Sequence, residues 1–237
     1  MSATAESLVV AGLTPMTTLD YPDHLACVVF TQGCPLRCGY CHNPQMLTSE
    51  APPGAPSWKQ VDVFLQSRIG LLQAVVFSGG EPTAQRALLP AVARAAEMGF
   101  KIGLHTSGIN PVRLAELLPL LGWVGLDIKA EPHNYERVCG RPGVANKVVQ
   151  SLQLLQQSGC NFEVRCTLHP RDLDIQGIHH LLIWLESQQV QHCALQLARA
   201  GQSFDPHYAR IDQAFDTRVI NNLIAEFQPR FSQLLLR

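Results

Sequence analysis

The sequence predicts an α/β fold organised around a parallel sheet. Short apolar runs recur along the 237 residues, and each is followed by a segment in which apolar residues have helical spacing. Six such pairs in succession favour parallel strands, because each return to the same edge of the sheet needs a crossover helix. The sheet is expected to be either an open doubly wound sheet or a curved, incomplete barrel. No fixed repeat or low-complexity linker divides the chain, so we expect one domain over residues 1–237.

The elements follow from apolar runs, helical spacing and end signals. Predicted strands cover residues 24–31, 74–77, 101–105, 123–128, 162–168 and 193–197. Predicted helices cover residues 57–69, 84–98, 111–121, 144–157, 175–188 and 213–227. Ser57 suits the N-cap of the first helix, Pro111 suits the first turn of the third, and Gly159 follows the end of the fourth.

The amino-acid composition, net charge and apolar runs indicate which general class of protein to expect. The chain is 46% hydrophobic and 16% charged, which is typical of a globular protein. Its net charge of -1 gives no sign of a nucleic-acid face. The N-terminal residues lack a basic segment and a long apolar segment, and the apolar run Leu181 to Leu185 is too short to span a bilayer. We therefore expect a cytoplasmic protein that binds neither membrane nor nucleic acid.

Three of the eight cysteines, Cys34, Cys38 and Cys41, lie in one loop directly after the first predicted strand. Clustered cysteines in a reducing compartment indicate a metal site rather than disulfides. The other five are expected to be ordinary core or loop residues: Cys27, Cys139, Cys160, Cys166 and Cys193.

Three cofactors are compatible with parts of this loop. Covalent haem fits the C-x-x-C-H pattern at residues 38–42, but it generally needs export and leaves Cys34 unexplained. Structural zinc needs four ligands, and His42 is too close to Cys41 to complete a relaxed tetrahedron easily. A 4Fe-4S cluster held by three cysteines would keep one iron open for a substrate. Soft thiolates suit iron and sulfur, so the spacing favours the cluster and leaves zinc as the alternative.

Polar motifs also follow the next three predicted strands. They are SGGEPT at residues 78–83, HTSG at residues 105–108 and DIK at residues 127–129. In parallel α/β folds the loops after the strand ends form the site, so we expect these motifs and the cysteine loop to converge on one rim.

The combination of C-x-x-x-C-x-x-C, the aromatic Tyr40 before the last cysteine and G-G-E-P at residues 79–82 resembles the radical S-adenosylmethionine (SAM) superfamily. The resemblance implies an incomplete (β/α)6 barrel with a core of about residues 20–200, an N-terminal strand extension and a C-terminal helical tail. It implies a 4Fe-4S cluster whose open iron binds SAM. One electron then cleaves the sulfonium and yields a 5′-deoxyadenosyl radical, while the protein supplies positioning and excludes water.

Longer stretches are similar to the activating proteins of glycyl radical enzymes. They are residues 19–44, 126–140 and 162–170, together with the FSGGEPT motif. The closest resemblance is to the activating proteins of anaerobic ribonucleoside-triphosphate reductase. It implies that the radical removes hydrogen from a glycine of a partner enzyme, and that a flavodoxin- or ferredoxin-type donor supplies electrons.

The resemblance also implies roles for individual residues. Cys34, Cys38 and Cys41 would hold the cluster, and Tyr40 would stack beside adenine or pack under its loop. The SAM-binding residues would be Gly79, Gly80, Glu81, Thr106, Ser107, Asp127 and Lys129. Simpler roles stand beside these: a tight turn at the glycines, hydrogen bonds within the loop at Thr106 and Ser107, and a surface ion pair of Asp127 with Lys129.

Departures from the family pattern leave some roles open. His105 stands where relatives often have an aspartate that helps to bind a monovalent cation, and imidazole cannot replace that oxygen ligand. Arg165 and His169 could contact a partner's glycine loop or serve the structure alone. Three other functions remain. The chain could activate another glycyl radical enzyme, or it could be a radical enzyme acting on a small molecule, such as a 7-carboxy-7-deazaguanine synthase. The third is an iron–sulfur or zinc protein that only carries electrons or supports structure.

Overall fold

The structure is a computed structural model and describes residues 3–201, 203–211 and 214–237. Its strands are β1 (Val10–Thr17), β2 (Ala26–Thr31), β3 (Ala74–Gly79), β4 (Lys101–Thr106), β5 (Trp123–Asp127), β6 (Asn161–Leu168), β7 (His192–Leu197) and β8 (Gln233–Leu236). Its α-helices are α1 (Trp58–Gln66), α2 (Leu88–Glu97), α3 (Pro111–Leu117), α4 (Tyr135–Cys139), α5 (Ala145–Ser158), α6 (Ile175–Ser187) and α7 (Thr217–Phe227). Within the described residues, no helix is long and apolar enough to cross a membrane.

The sheet confirms the predicted α/β class. Its eight strands are ordered as they occur along the chain, and the sheet is open rather than closed into a barrel. Strand β2 pairs in parallel with β3, and β3 with β4; β6 pairs in parallel with β7, and β7 with β8. The N-terminal extension differs in direction from these four pairs, since β1 runs antiparallel to β2. A hairpin-like connection suffices there, whereas the parallel pairs need longer crossovers.

The helix ends follow local chemistry. Ser57 caps α1 through a capping box in which its hydroxyl accepts from the Gln60 N–H and the Gln60 side chain accepts from the Ser57 N–H. The helix predicted over residues 84–98 begins only at Leu88, because Pro82–Ala84 form a separate 3-10 turn. The helix predicted over residues 111–121 ends as α-helix at Leu117 and continues as a 3-10 turn.

The C-terminal region contains elements that the sequence patterns did not indicate. The last predicted helix begins at Thr217 after the N-cap Asp216, and the predicted start at Gln213 lies outside the described residues. The strand β8 was not predicted, and neither was the short helix α4 in the middle of the chain. Both are only four or five residues long, which is too short to show a periodic apolar pattern.

The chain divides into two compact units, each with most of its contacts within itself. The first contains residues up to Pro35, Gln45–Gly125 and Lys147–Asn161, and therefore holds β1 to β4 and α1 to α3. Its buried cluster includes Tyr21, Val28, Val76 and Trp123. A Cβ at the neighbouring Gly103 would press on the Tyr21 ring, so the glycine leaves room for this aromatic side chain.

The residue before β1, Val9, is held by the side-chain amide of Gln85, which pairs with its N–H and carbonyl as a neighbouring strand would. The Gln85 Oε1 accepts from the Val9 N–H at 2.8 Å, and its Nε2 donates to the Val9 carbonyl at 2.8 Å. The same Nε2 donates to the carbonyl of Gln32. One amide therefore satisfies three backbone groups within the first unit.

The second unit contains Leu36–Pro44, Leu126–Asn146 and Phe162–Arg237. Strands β7 and β8 contribute buried aliphatic side chains, among them Leu195 and Leu234, and α7 buries Ile220 and Phe227. Arg237 on the exit of β8 donates from both terminal nitrogens to Glu163, at 2.8 Å each. This two-point ion pair fixes the end of β8 within the second unit.

Candidate functional site

Two glycines at the end of β3 bring chain segments of the first unit into close contact. The Gly80 N–H donates to the Thr31 carbonyl, and the Glu81 N–H donates to the Gly33 carbonyl, both at 2.9 Å. A Cβ at Gly79 would overlap the Thr31 backbone, and Gly79 also has a φ of 114°. Only glycine suits this position, because the turn packs directly against the Thr31 backbone. The predicted approach of this turn to SAM stays a prediction.

Glu81 is buried in the same turn and accepts five hydrogen bonds. Its Oε1 accepts from the N–H and hydroxyl of Thr83, at 3.1 and 2.7 Å, and from the Thr106 hydroxyl at 2.6 Å. Its Oε2 accepts from the N–H and hydroxyl of Ser107. A carboxylate offers about four lone-pair positions, so these neutral donors saturate Glu81. The exits of β3 and β4 are thereby joined.

The exit of β4 is held from further sides as well. The Gly108 N–H donates to the Thr106 hydroxyl at 3.1 Å, and the buried Ser151 hydroxyl donates to the Gly108 carbonyl at 2.7 Å. The His105 Nε2 lies 3.0 Å from the Asp20 carbonyl, and the ring meets Trp123 edge-on at 5.4 Å. His105 is therefore engaged with the segment before β2 and with β5.

The first of the three clustered cysteines, Cys34, lies in the first unit and is partly exposed. Its N–H donates to the Leu47 carbonyl at 3.4 Å, and the preceding Gly33 N–H donates to the Met46 carbonyl at 2.9 Å. The Gln32 side chain donates to the carbonyls of Gln45 and Thr48. Hydrogen bonds therefore join residues 32–34, at the start of the cysteine loop, to residues 45–48, which follow it.

The other two, Cys38 and Cys41, lie in the second unit. The Cys41 N–H donates to the Cys38 carbonyl at 3.0 Å, which closes a tight turn over Gly39 and Tyr40. Burial raises the pKa of the Cys38 thiol to about 11, although the nearby Lys129 ammonium opposes the rise. The thiol is protonated at neutral pH, and a metal would have to displace its proton.

Tyr40 is almost fully buried beside the predicted Asp127 and Lys129 pair. The Lys129 ammonium lies 5.8 Å from the centre of the Tyr40 ring and 3.9 Å from Asp127 Oδ2. The Lys129 side chain is 12% exposed, so this ion pair is not a simple surface contact. His169 stacks near-parallel to the Tyr40 ring, with 6.5 Å between the ring centres.

Tyr40, Asp127 and Lys129 line a cavity of about 420 Å³ in the second unit. It is lined by Tyr40, Cys41, His42, Asn43, Asp127, Lys129, Thr167, Gln196, Leu197, Ala198, Arg199 and Arg237. The cavity lies within the size range of pockets for small-molecule ligands. Thr167 and Gln196 are register partners on β6 and β7, and neither was singled out in the sequence.

A polar cluster behind His169 was also missed in the sequence. The Tyr208 hydroxyl donates to Asp172 Oδ1 at 2.8 Å, and Arg137 Nη1 lies 3.2 Å from the same oxygen. The rings of His169 and Tyr208 are 4.6 Å apart. Arg165, which was considered beside His169, instead pairs with Glu163 at 3.1 Å. The H-P dipeptide was the only signal for this cluster in the sequence.

The predicted site residues are thus distributed over the two units. The first holds Cys34, Gly79, Gly80, Glu81, Thr106 and Ser107; the second holds Cys38, Tyr40, Cys41, Asp127 and Lys129. Among the residues described, no three His, Cys, Asp or Glu side chains are grouped as a ready metal site. The roles assigned to these residues from the sequence stay predictions.

The open parallel sheet with a cysteine loop after its first parallel strand defines the class of protein. The family model described as Radical SAM superfamily matches residues 28–182, more than half of the chain, and the chain belongs to this superfamily. It is therefore a radical SAM enzyme. Proteins of this family use a 4Fe-4S cluster and S-adenosylmethionine.

Two relatives indicate how the chain compares in length. A protein of Methanocaldococcus jannaschii, provisionally named a glycyl-radical enzyme activating enzyme, is 29% identical over 204 residues, which cover 83% of this chain and 80% of that protein. The PqqA peptide cyclase of Rhodopseudomonas palustris is 32% identical over 167 residues. That match covers 68% of this chain but only 44% of the cyclase, so the chain spans less than half of the cyclase's length.

Solved structures share the fold at low sequence identity. Streptococcus suis SuiB bound to S-adenosylmethionine has a TM-score of 0.66 at 14% identity, over 87% of this chain and 48% of SuiB. A domain of the pyruvate-formate lyase-activating enzyme from Bacteroides vulgatus has a TM-score of 0.54 at 15% identity, over 70% of this chain and 99% of that domain. At these identities the likeness establishes the fold alone.

The residues present fit the family's cofactors. Three cysteines that form no disulfide lie within residues 34–41, and soft thiolates suit an iron–sulfur cluster. Within the described part of the chain, the Tyr40 hydroxyl and the His42 Nε2 are buried without a hydrogen-bond partner. Buried polar atoms without partners are uncommon, and both flank Cys41, where a bound group could supply partners.

Proposed function

We propose that this radical SAM enzyme activates a glycyl radical enzyme by removing a hydrogen atom from a glycine of that partner. The observation that carries the proposal is the match to the Methanocaldococcus jannaschii protein, which covers 83% of this chain and 80% of that protein. The match to the cyclase of Rhodopseudomonas palustris covers a smaller share of that protein, 44% of its length. Anaerobic ribonucleoside-triphosphate reductase is the client that the sequence resemblance favours.

In this proposal Cys34, Cys38 and Cys41 hold the 4Fe-4S cluster. When bound, the cluster supplies the electron that cleaves the sulfonium of SAM to methionine and the hydrogen-abstracting 5′-deoxyadenosyl radical. The electron would come from a flavodoxin- or ferredoxin-type donor. The protein contributes binding, orientation and exclusion of water around the reacting groups.

The proposed SAM-binding groups are of two kinds: side chains that line the cavity, and the backbone of the Gly79–Gly80 turn. Lys129 and Asp127 offer charges of both signs on the second unit's cavity, which suits the carboxylate and the ribose hydroxyls of SAM. Tyr40 offers an aromatic ring on the same cavity, which suits the adenine.

The Gly79–Gly80 turn belongs to the second kind, which acts through the backbone. Because five donors saturate Glu81, we assign acceptance from the SAM ammonium to a backbone carbonyl of this turn. Glu81, Thr106 and Ser107 then hold the turn in shape.

A second candidate is modification of a peptide, because the cyclases that match the chain are named for a peptide substrate. Both candidates require S-adenosylmethionine cleavage and a polypeptide substrate. They differ in the product, which is a stored radical in one case and a new covalent link in the other.

The test is anaerobic reconstitution with iron and sulfide, followed by dithionite, S-adenosylmethionine and purified anaerobic ribonucleoside-triphosphate reductase. We expect 5′-deoxyadenosine by chromatography and a glycyl doublet in the electron paramagnetic resonance spectrum of the reductase. Cys34→Ser, Cys38→Ser and Cys41→Ser should each abolish both signals. Cys160→Ser is the matched control, since Cys160 lies outside the loop, and it should retain them.

The readouts separate the hypotheses. Deoxyadenosine without a glycyl signal would exclude this client and lead to assays with other glycyl radical enzymes and with precursor peptides. A reconstituted protein that leaves S-adenosylmethionine intact would refute the activity as a whole.

A further inference from the structure

The segment Ser203–Ala209 makes direct backbone contact with the cysteine loop of the second unit. The Phe204 N–H donates to the Cys41 carbonyl at 3.0 Å, and the Asp205 N–H donates to the Gly39 carbonyl at 3.1 Å. Two successive N–H groups therefore hold both ends of the three residues from Gly39 to Cys41. Such hydrogen bonds restrict the backbone dihedrals of a short loop that would otherwise be free to move.

Tyr208 of the same segment packs against the loop at Gly39, the residue without a side chain. A Cβ at position 39 would overlap the Tyr208 ring, so the ring lies against the Gly39 Cα. Gly39 is not among the glycines with positive φ, so its backbone conformation is open to any residue. The glycine is needed here for the space that Tyr208 fills.

Tyr208 itself is fixed on its far side. Its hydroxyl donates to Asp172 Oδ1, which Arg137 also binds. The Asp205 side chain accepts from the His207 N–H and begins the 3-10 turn Pro206–Tyr208 that carries the ring. The Tyr208 carbonyl lies 3.3 Å from the His169 Nε2. The ring is therefore held in place before it meets the loop.

We propose that Phe204, Asp205 and Tyr208 form a clamp that positions the loop carrying Cys38 and Cys41 for cluster binding. The inference rests on the proposed role of these two cysteines as ligands. The three clamp residues are positioning residues: they act on the backbone between the thiols. The clamp keeps the Cys38–Cys41 turn closed, and it slows the opening through which iron is lost.

The test uses the full-length chain with and without its cluster. Tyr208→Phe keeps the ring and removes the hydroxyl, Tyr208→Ala removes both, and Gly39→Ala pushes the ring away. His207→Ala is the matched control, since this exposed side chain lies in the same turn and is not part of the clamp. Thermal unfolding of each cluster-free variant verifies that it is folded.

The first readout is hydrogen exchange in the cluster-free protein. The Phe204 and Asp205 amides should exchange slowly in the wild type and in His207→Ala. They should exchange at least about tenfold faster in Tyr208→Ala and in Gly39→Ala, because both variants lose the contact of the ring with the loop. A tenfold change corresponds to about 1.4 kcal/mol in the free energy of opening. Fast exchange of both amides in the wild type would overturn the clamp.

The second readout is the rate at which a chelator removes iron from the anaerobically reconstituted protein. We expect about tenfold faster loss in Tyr208→Ala and in Gly39→Ala, and a double variant no faster than either, because both changes remove the same contact. Tyr208→Phe should give a smaller increase. Additive effects, or rates equal to that of His207→Ala, would refute the clamp. Slow exchange in a protein that binds no iron would instead refute the proposed function and leave the clamp intact.

Discussion

The carboxylate of Glu81 is buried among five neutral donors from Thr83, Thr106 and Ser107. Glu81→Gln replaces one acceptor oxygen by an NH2 group, which then faces donors. We expect a loss of about 2 kcal/mol or more in the free energy of unfolding, because a buried donor is left unpaired. Urea denaturation of the cluster-free protein measures this difference.

Glu97→Gln is the control for this substitution, since the Glu97 side chain is 68% exposed at the end of α2. It should change stability by less than about 0.5 kcal/mol. An equal effect of the two substitutions would show that the donors around Glu81 reorganise freely.

His169 should make stability depend on pH. Burial lowers its pKa from the ordinary 6.5, although the Tyr208 carbonyl and Asp172 oppose the change, and Arg171 and His42 reinforce it. Its Nδ1 accepts from the Arg171 N–H, which requires the neutral ring. The unfolded chain therefore binds the proton more readily, so stability is complete above pH 6.5 and declines as the pH falls below it.

Thermal unfolding of the cluster-free protein between about pH 7.5 and pH 5 tests this dependence. His169→Gln should flatten the slope below pH 6.5 relative to the wild type. The more exposed His179 supplies the comparison, and His179→Gln should keep the wild-type slope. A slope unchanged by His169→Gln would contradict the assignment.

At the scale of elements, the N-cap predicted at Ser57 is present, and the structure adds that Gln60 completes a capping box. Ser57→Ala removes the hydroxyl that accepts from the Gln60 N–H, and we expect a loss of about 1 kcal/mol in the free energy of unfolding. Ser57→Asp retains a capping oxygen and should stay within about 0.5 kcal/mol of the wild type. Chemical denaturation of the three proteins provides the comparison, and equal losses for both variants would exclude a capping effect.

The strands were predicted well because their short apolar runs alternate with segments in which apolar residues have helical spacing. The observed β2 to β7 overlap all six predicted strands. Strand β8 was not predicted, since its four residues pair with β7 through contacts that only the folded chain provides. Helix α2 begins later than its pattern because Glu81 and Pro82 shape the preceding turn instead.

At the scale of the whole molecule, the superfamily was predicted from motifs that are local in sequence. The partners of those motifs were not, because they are distant along the chain. Thr106 and Ser107 reach Glu81 across some 25 residues, and Tyr208 reaches Gly39 from the other end of the chain. The motifs marked Thr106 and Ser107, but no pattern indicated that both bond to Glu81 or that Tyr208 packs against Gly39.

The nearly balanced charge of the chain affects its behaviour in solution. With a net charge of -1 and a pI of about 6.7, the cluster-free protein should be least soluble just below neutral pH. Electrostatic repulsion between molecules is then weakest. Light scattering at about pH 6.7 and at about two units higher should show more association at the lower value. Equal scattering at both values would contradict this expectation.

The Gln85 side-chain amide makes three hydrogen bonds, and its deamidation would change how the protein ages. Deamidation to glutamate would replace the NH2 group with a second oxygen, which would face the carbonyls of Val9 and Gln32. Repulsion would then take the place of two hydrogen bonds. A single spontaneous hydrolysis at this side chain would weaken the attachment of the chain at the start of β1, the strand that covers one edge of β2. Such cover matters because the free peptide groups of an exposed edge strand promote aggregation.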